Sequence, residues 1–215
     1  AASKGEIPCV FARGNHDMRG RYAELQTEYA PSDKGNFYYT FRVGSVWGMV
    51  LDCGEDKTDS YEDYNGTICC HEFRREQTEF IKRVAADEKN EYGAEDVEYR
   101  IIVAHADFAY VQDYPFDIET DIYKEWVGLI NKYLKPHFML CGHEHFCAIS
   151  EKSGKYNTLN LDCPVVIGSK PVKDENRTDT DYVGAELVLN HGSLDVLFTN
   201  STGTAEYEEK LKIRK

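Results

Sequence analysis

The chain has 215 residues, 41% of them hydrophobic, with 38 acidic against 25 basic side chains and a formal net charge of −13. That length fits a single domain, 1–215, with a sizeable core. The acidic surplus argues against nucleic acid as a partner, since holding a polyanion requires a surplus of basic side chains. No apolar run approaches the roughly 18 residues of a membrane span, so no membrane partner is expected. The start, AASKGEIPCVFA, has no apolar block ending in a small-residue cleavage site and does not read as a signal peptide. Seven cysteines, an odd number, do not read as a disulfide framework. Reduced thiols and a cytoplasmic setting are the expectation.

In chain order, 8–12 (PCVFA) reads as a buried strand running into the loop RGNHD. A short helix is expected over 19–29, ended by Pro31, and then paired strands over 37–42 and 46–51 joined near Gly44. Phe73, Phe80, Ile81, Val84 and Ala85 follow helical spacing over 71–87, with Gln77 as a polar break. The β-branched run 100–104 ends at His105. Ile122, Trp126, Leu129, Ile130, Tyr133 and Leu134 mark a second amphipathic helix stopped by Pro136, and 138–141 is a buried strand that breaks at Gly142. Strands are then expected over 146–149, 156–161, 165–167, 182–189 and 194–199. The charged stretch 206–215 reads as a frayed helix. This alternation of short apolar runs with amphipathic stretches points to an α/β fold.

Three histidines, His16, His105 and His143, stand where a strand has just ended, with His145 close behind. Open α/β sheets place ligand sites at such ends. In RGNHD, Asn15 offers a carbonyl oxygen and His16 an imidazole, which Asp17 could orient by a hydrogen bond. In CGHEHF an extended backbone would point His143 and His145 to one side and Glu144 to the other. The flanking Cys141 and Cys147 raise a structural zinc site, but their spacing matches no common zinc knuckle. Asp52, Glu55 and Asp107 follow strands and could approach the site, though loop caps or solvent-facing groups are the favoured reading. Arg13 and Arg19 bracket the RGNHD loop, either contacting phosphate or standing in solvent.

GNHD, the strand-terminal VAH and GHEH, in that order, resemble the later motifs of the calcineurin-like metallophosphoesterases, and the resemblance covers nearly the whole chain. It implies an α/β fold, a four-layer α/β/β/α sandwich of two mixed sheets. It implies hydrolysis of a small phosphomonoester or phosphodiester by a bridging water activated between two divalent or trivalent metal ions (Zn, Fe or Mn). Carried over residue by residue, Asn15, His105 and His143 are similar to three ligands of one ion, and His145 to a ligand of the second. His16 is similar to the family histidine that contacts phosphate and protonates the leaving group, and Asp17 to its acidic partner. The segments YYTF and VLDCGED resemble bacterial purple-acid-phosphatase-like members.

The sequence departs from the family pattern in one respect: neither an Asp-x-His nor a Gly-Asp motif precedes Asn15. The expectation is therefore a domain lacking its first strands, whose loss from the middle of the sheet should expose apolar surface, with weak or partial metal occupancy and little activity. A non-catalytic relative that uses the fold as an interaction surface is the alternative. Oligomeric state is not legible.

Overall fold

The computed structural model describes residues 5–30, 35–168, 170–171 and 182–214. Six short strands form one sheet: β1 (Tyr39–Val43), β2 (Val46–Leu51), β3 (Tyr99–Ala104), β4 (Phe138–Cys141), β5 (Ala148–Ser150) and β6 (Val165–Ile167), in the order β1-β2-β3-β4-β6-β5. The inner four, β2, β3, β4 and β6, are parallel, and β1 and β5 pair antiparallel at the edges. Parallel strands are buried on both faces, which is why they appear in the sequence as unbroken apolar runs.

One face is covered by two helices after a single α-turn, α1 (Gln26–Tyr29): α2 (Cys70–Ala86) and α3 (Thr120–Leu129), the latter widening into a π turn at Ile130–Leu134. Phe80, Ile81 and Val84 of α2 and Ile122, Trp126 and Val127 of α3 pack against Trp47, Met49, Leu51, Ile102, Met139 and Val165. Asp59 caps α2 from across a loop, its carboxylate accepting the Cys70 and His71 N–H groups at 3.0 Å each.

The opposite face presents Ile101, Phe138 and Val166 to a second core with Val183, Leu194, Val196, Phe198 and Leu211. These belong to a four-stranded antiparallel sheet of β7 (Lys170–Pro171), β8 (Tyr182–Asn190), β9 (Ser193–Asn200) and β10 (Ala205–Lys212), in the order β10-β9-β8-β7. The described residues thus supply helix, sheet and sheet, three of the four expected layers.

Several sequence expectations change. The stretch 8–12 is not a strand. Val10 and Phe11 are 39% and 41% exposed, and Phe11 is tied to the Tyr39 hydroxyl, which accepts its N–H at 3.1 Å and donates to its carbonyl at 2.7 Å. An apolar run without a ladder partner stays outside the sheet. Of the stretch 206–215, residue 215 lies outside the described residues and 206–214 is not a helix, because pairing with β9 makes it a strand that carries Leu211 and then Ile213 into the core. The stretch 156–161 is a turn held by the Asn157 side chain, which donates to the Leu161 and Cys163 carbonyls and accepts the Leu161 N–H. In the middle of the sheet β2, β3, β4 and β6 pair in sequence, each with the next.

Candidate metal centre

The carboxyl ends of β2, β3 and β4 converge on one open cleft of about 450 Å³, lined by Gly14, Asn15, His16, Asp17, Asp56, His105, Phe116, His143 and His145. All six residues singled out from the sequence are therefore neighbours. β3 delivers His105 and β4 delivers the Gly142–His145 turn. The RGNHD segment arrives as a 3₁₀ turn, Asn15–Met18. Asp17 accepts the Gly14 N–H at 2.9 Å, so its carboxylate is engaged with the turn's own backbone.

The GHEH segment is a tight turn and not the extended run expected. His143 and His145 both have left-handed backbones, φ 65° and 56°. The Glu144 N–H donates to the Gly142 carbonyl at 2.7 Å, and Gln112 Nε2 donates to the Glu144 carboxylate at 3.0 Å. Non-glycine residues held at positive φ cost of order 1–3 kcal/mol each and cluster at functional sites. Here the strain brings both imidazoles to the cleft.

His143 Nδ1 and His105 Nε2 face each other at 3.3 Å. Burial, and then the neighbouring His143, pushes the His105 pKa down to about 4. Burial likewise lowers His143, against the pull of Glu144 and Asp56. Burial thus favours the neutral form of both rings, in which each can offer a nitrogen lone pair. Two ligands about 2.1 Å from one ion at a tetrahedral angle stand roughly 3.4 Å apart, close to the separation of these nitrogens. Asn15 is 3% exposed, and its Oδ1 is buried without a hydrogen-bond partner. A buried carbonyl oxygen left unpaired is costly, and its position on the cleft suits a cation. Space explains Gly14: a Cβ there would lie 2.9 Å from His105 Cε1 and Nε2.

The donor set present is two imidazoles and an amide, which suits a divalent metal. Among the described residues, no group of three or more His, Cys, Asp or Glu is already close enough to hold an ion. That includes Cys141, whose thiol donates to the Val166 carbonyl on the next strand at 3.8 Å.

Sequence reasoning misplaced Arg13 but not Arg19, which is exposed as expected. Arg13 is not solvated: it is 5% exposed, donates from Nε to Asp52 Oδ2 at 2.6 Å, and lies 3.5 Å over the Phe37 ring. Arg19 forks onto Glu55 at 2.8 and 2.6 Å. Asp52 and Glu55 face the interior, 0% and 1% exposed. Asp107 is also buried. Its Oδ1 accepts the Ala109 N–H at 2.7 Å, its Oδ2 has no partner, and burial raises its pKa well above the usual carboxylate range. Asp56, not singled out from the sequence, lines the cleft. Burial pushes its pKa up, but hydrogen bonds and charge from Lys57 and Tyr64 outweigh that and hold it low. The available signal was its place in an acidic loop directly after a buried strand.

No described helix is long and apolar enough to cross a membrane. The family model for calcineurin-like phosphoesterases matches residues 1–147, a span that contains every residue of the cleft. That match is to the family as a whole and does not single out the purple-acid-phosphatase-like subtype. No curated protein matches the chain. The family hydrolyses phosphoesters and generally binds divalent metals. The chain belongs to the calcineurin-like phosphoesterase family.

Proposed function

We propose that the cleft holds a two-metal centre that hydrolyses small phosphomonoesters or phosphodiesters. Asn15 Oδ1, His105 Nε2 and His143 Nδ1 would hold one ion and His145 would contribute to the second, with zinc, iron or manganese all suited to these nitrogen and oxygen donors. Bound there, the metal supplies a water of lowered pKa and neutralises charge on the phosphoryl oxygens.

The chain's own groups do the rest. His16 stands exposed at the mouth of the same cleft, where an imidazole can pass a proton to the departing alkoxide oxygen. Asp17 pins the turn that carries it through the Gly14 N–H. Phe116 lines the same cleft. The net charge of −13 disfavours long polyanions, and the roughly 450 Å³ cleft suits a small phosphorylated molecule.

The observation that carries this reading is the convergence of two imidazole nitrogens, 3.3 Å apart, with the unpartnered Asn15 oxygen on the cleft that also contains His16. It favours catalysis over a purely interacting relative, which would have no use for an orphaned amide oxygen. The test is a panel of phosphomonoesters and phosphodiesters, assayed with metal, after chelation and after re-addition. Hydrolysis is expected to vanish with chelator and return with metal. Protein that retains no metal and cleaves none of the panel would overturn the reading.

A further inference from the structure

The loop after β2 carries three acidic side chains with no task in the scheme above, and each reaches a different part of the centre. Asp52 binds Arg13 at 2.6 Å and Glu55 binds Arg19 at 2.6 and 2.8 Å. These two arginines stand on either side of the Gly14–Met18 segment. Asp56 reaches the other way: its Oδ2 lies 3.9 Å from His143 Nε2, while Nδ1 of that ring faces His105. Lys57 donates to Asp56 Oδ1 at 2.8 Å, which leaves Oδ2 turned to the imidazole. The Tyr64 hydroxyl lies 3.2 Å from both Glu55 Oε2 and Asp56 Oδ1, joining the two arms.

Helix α2 holds this loop from behind. Gln77 accepts the Asp52 N–H at 2.8 Å and donates to the Asp52 carbonyl at 2.7 Å. Arg74, fully buried, donates to the Cys53 carbonyl at 2.7 Å and the Glu55 carbonyl at 2.6 Å. The Glu55 N–H donates to Cys70 Sγ at 3.3 Å. The loop is therefore tied to a rigid element through its backbone, and its side chains are free to face the centre.

A histidine that ligates through one ring nitrogen is oriented by what the other meets, most often a carboxylate or carbonyl. At 3.9 Å the Asp56 contact is an ion-pair distance and not a hydrogen bond. A negative charge there still favours the tautomer with its proton on Nε2, which leaves the Nδ1 lone pair facing His105. We infer that the 52–56 loop positions both histidine-bearing turns of the centre, with Asp56 as the carboxylate that orients His143. The inference rests on the metal-centre reading proposed above. It makes Asp56 a positioning residue, acting through His143, and Glu55 its counterpart on the Asn15–Met18 turn.

The test is Asp56→Asn, which keeps the shape and removes the charge. Metal affinity is read by competition with a chromophoric chelator, using zinc as the probe, alongside kcat and the unfolding midpoint of the metal-free protein. The expected result is zinc affinity weakened about 10- to 100-fold, with that midpoint unchanged. Tyr64→Phe, which removes only the hydroxyl tether, should weaken affinity in the same direction by less, and serves if Asp56→Asn does not fold. Unchanged affinity in the variant that folds would overturn the inference, as would a loss that merely tracks instability. His143→Ala separates the two levels. If it loses zinc while Asp56→Asn does not, only the positioning role fails; if it keeps zinc, the metal-centre reading fails as well.

Discussion

Asp52→Ala is expected to destabilise the fold by about 3–5 kcal/mol, because it leaves the Arg13 guanidinium buried without its partner. Arg13 is 5% exposed and packed on Phe37 and Phe73, so its charge cannot reach water without disturbing that packing. The substitution also strips the acceptor from the Gly54 N–H, which Asp52 Oδ1 takes at 2.8 Å. Burial pushes the Asp52 carboxyl pKa up even though Arg13 pulls it down, a sign that desolvation is only partly repaid by the pair. Replacing both charges should therefore cost far less than replacing one. Arg13→Met with Asp52→Asn keeps the acceptor for Gly54 and should recover most of the stability in urea unfolding. Turnover should stay low in that double variant, because one of the two clamps on the Asn15–Met18 turn is gone. If activity returned together with stability, the pair would be a packing feature and nothing more.

His16→Ala is expected to lower kcat by about 10²–10⁴-fold, the usual worth of a general acid. The imidazole is exposed and makes no hydrogen bond among the described residues, so stability should shift by no more than about 0.5 kcal/mol. Metal content should not change, since the proposed ligands are Asn15, His105, His143 and His145. The size of the loss should depend on the leaving group. A nitrophenolate departs without a proton, so nitrophenyl phosphates should lose least and alkyl phosphates most. Loss of metal together with activity would move His16 into the ligand set.

How far the sequence speaks depends on what makes each element. The runs at β2, β4 and β6 were legible because a parallel strand buried on both faces must be apolar throughout. The stretch at β10 was not, because Glu206, Glu208, Glu209 and Lys210 ahead of its buried Leu211 give it the look of a charged helix, and only the pairing with β9 reveals a strand. The histidines were legible from their places at strand ends, whereas the left-handed turn that aims His143 and His145 was not. Gln77 looked like a break in an apolar helix face. It is fully buried because the Asp52 backbone, brought opposite by the fold, satisfies both ends of its amide. Arg13, Arg74 and Asp56 were misjudged or missed for the same reason: their partners lie between 39 and 87 positions away, where only the folded chain brings them.

The most direct test of the metal centre is anomalous diffraction at the zinc or manganese edge from crystals soaked in that metal. The expected result is a peak within about 2.0–2.3 Å of His105 Nε2, His143 Nδ1 and Asn15 Oδ1. A phosphoesterase-active protein with its anomalous peak elsewhere, or with none in this cleft, would contradict the account.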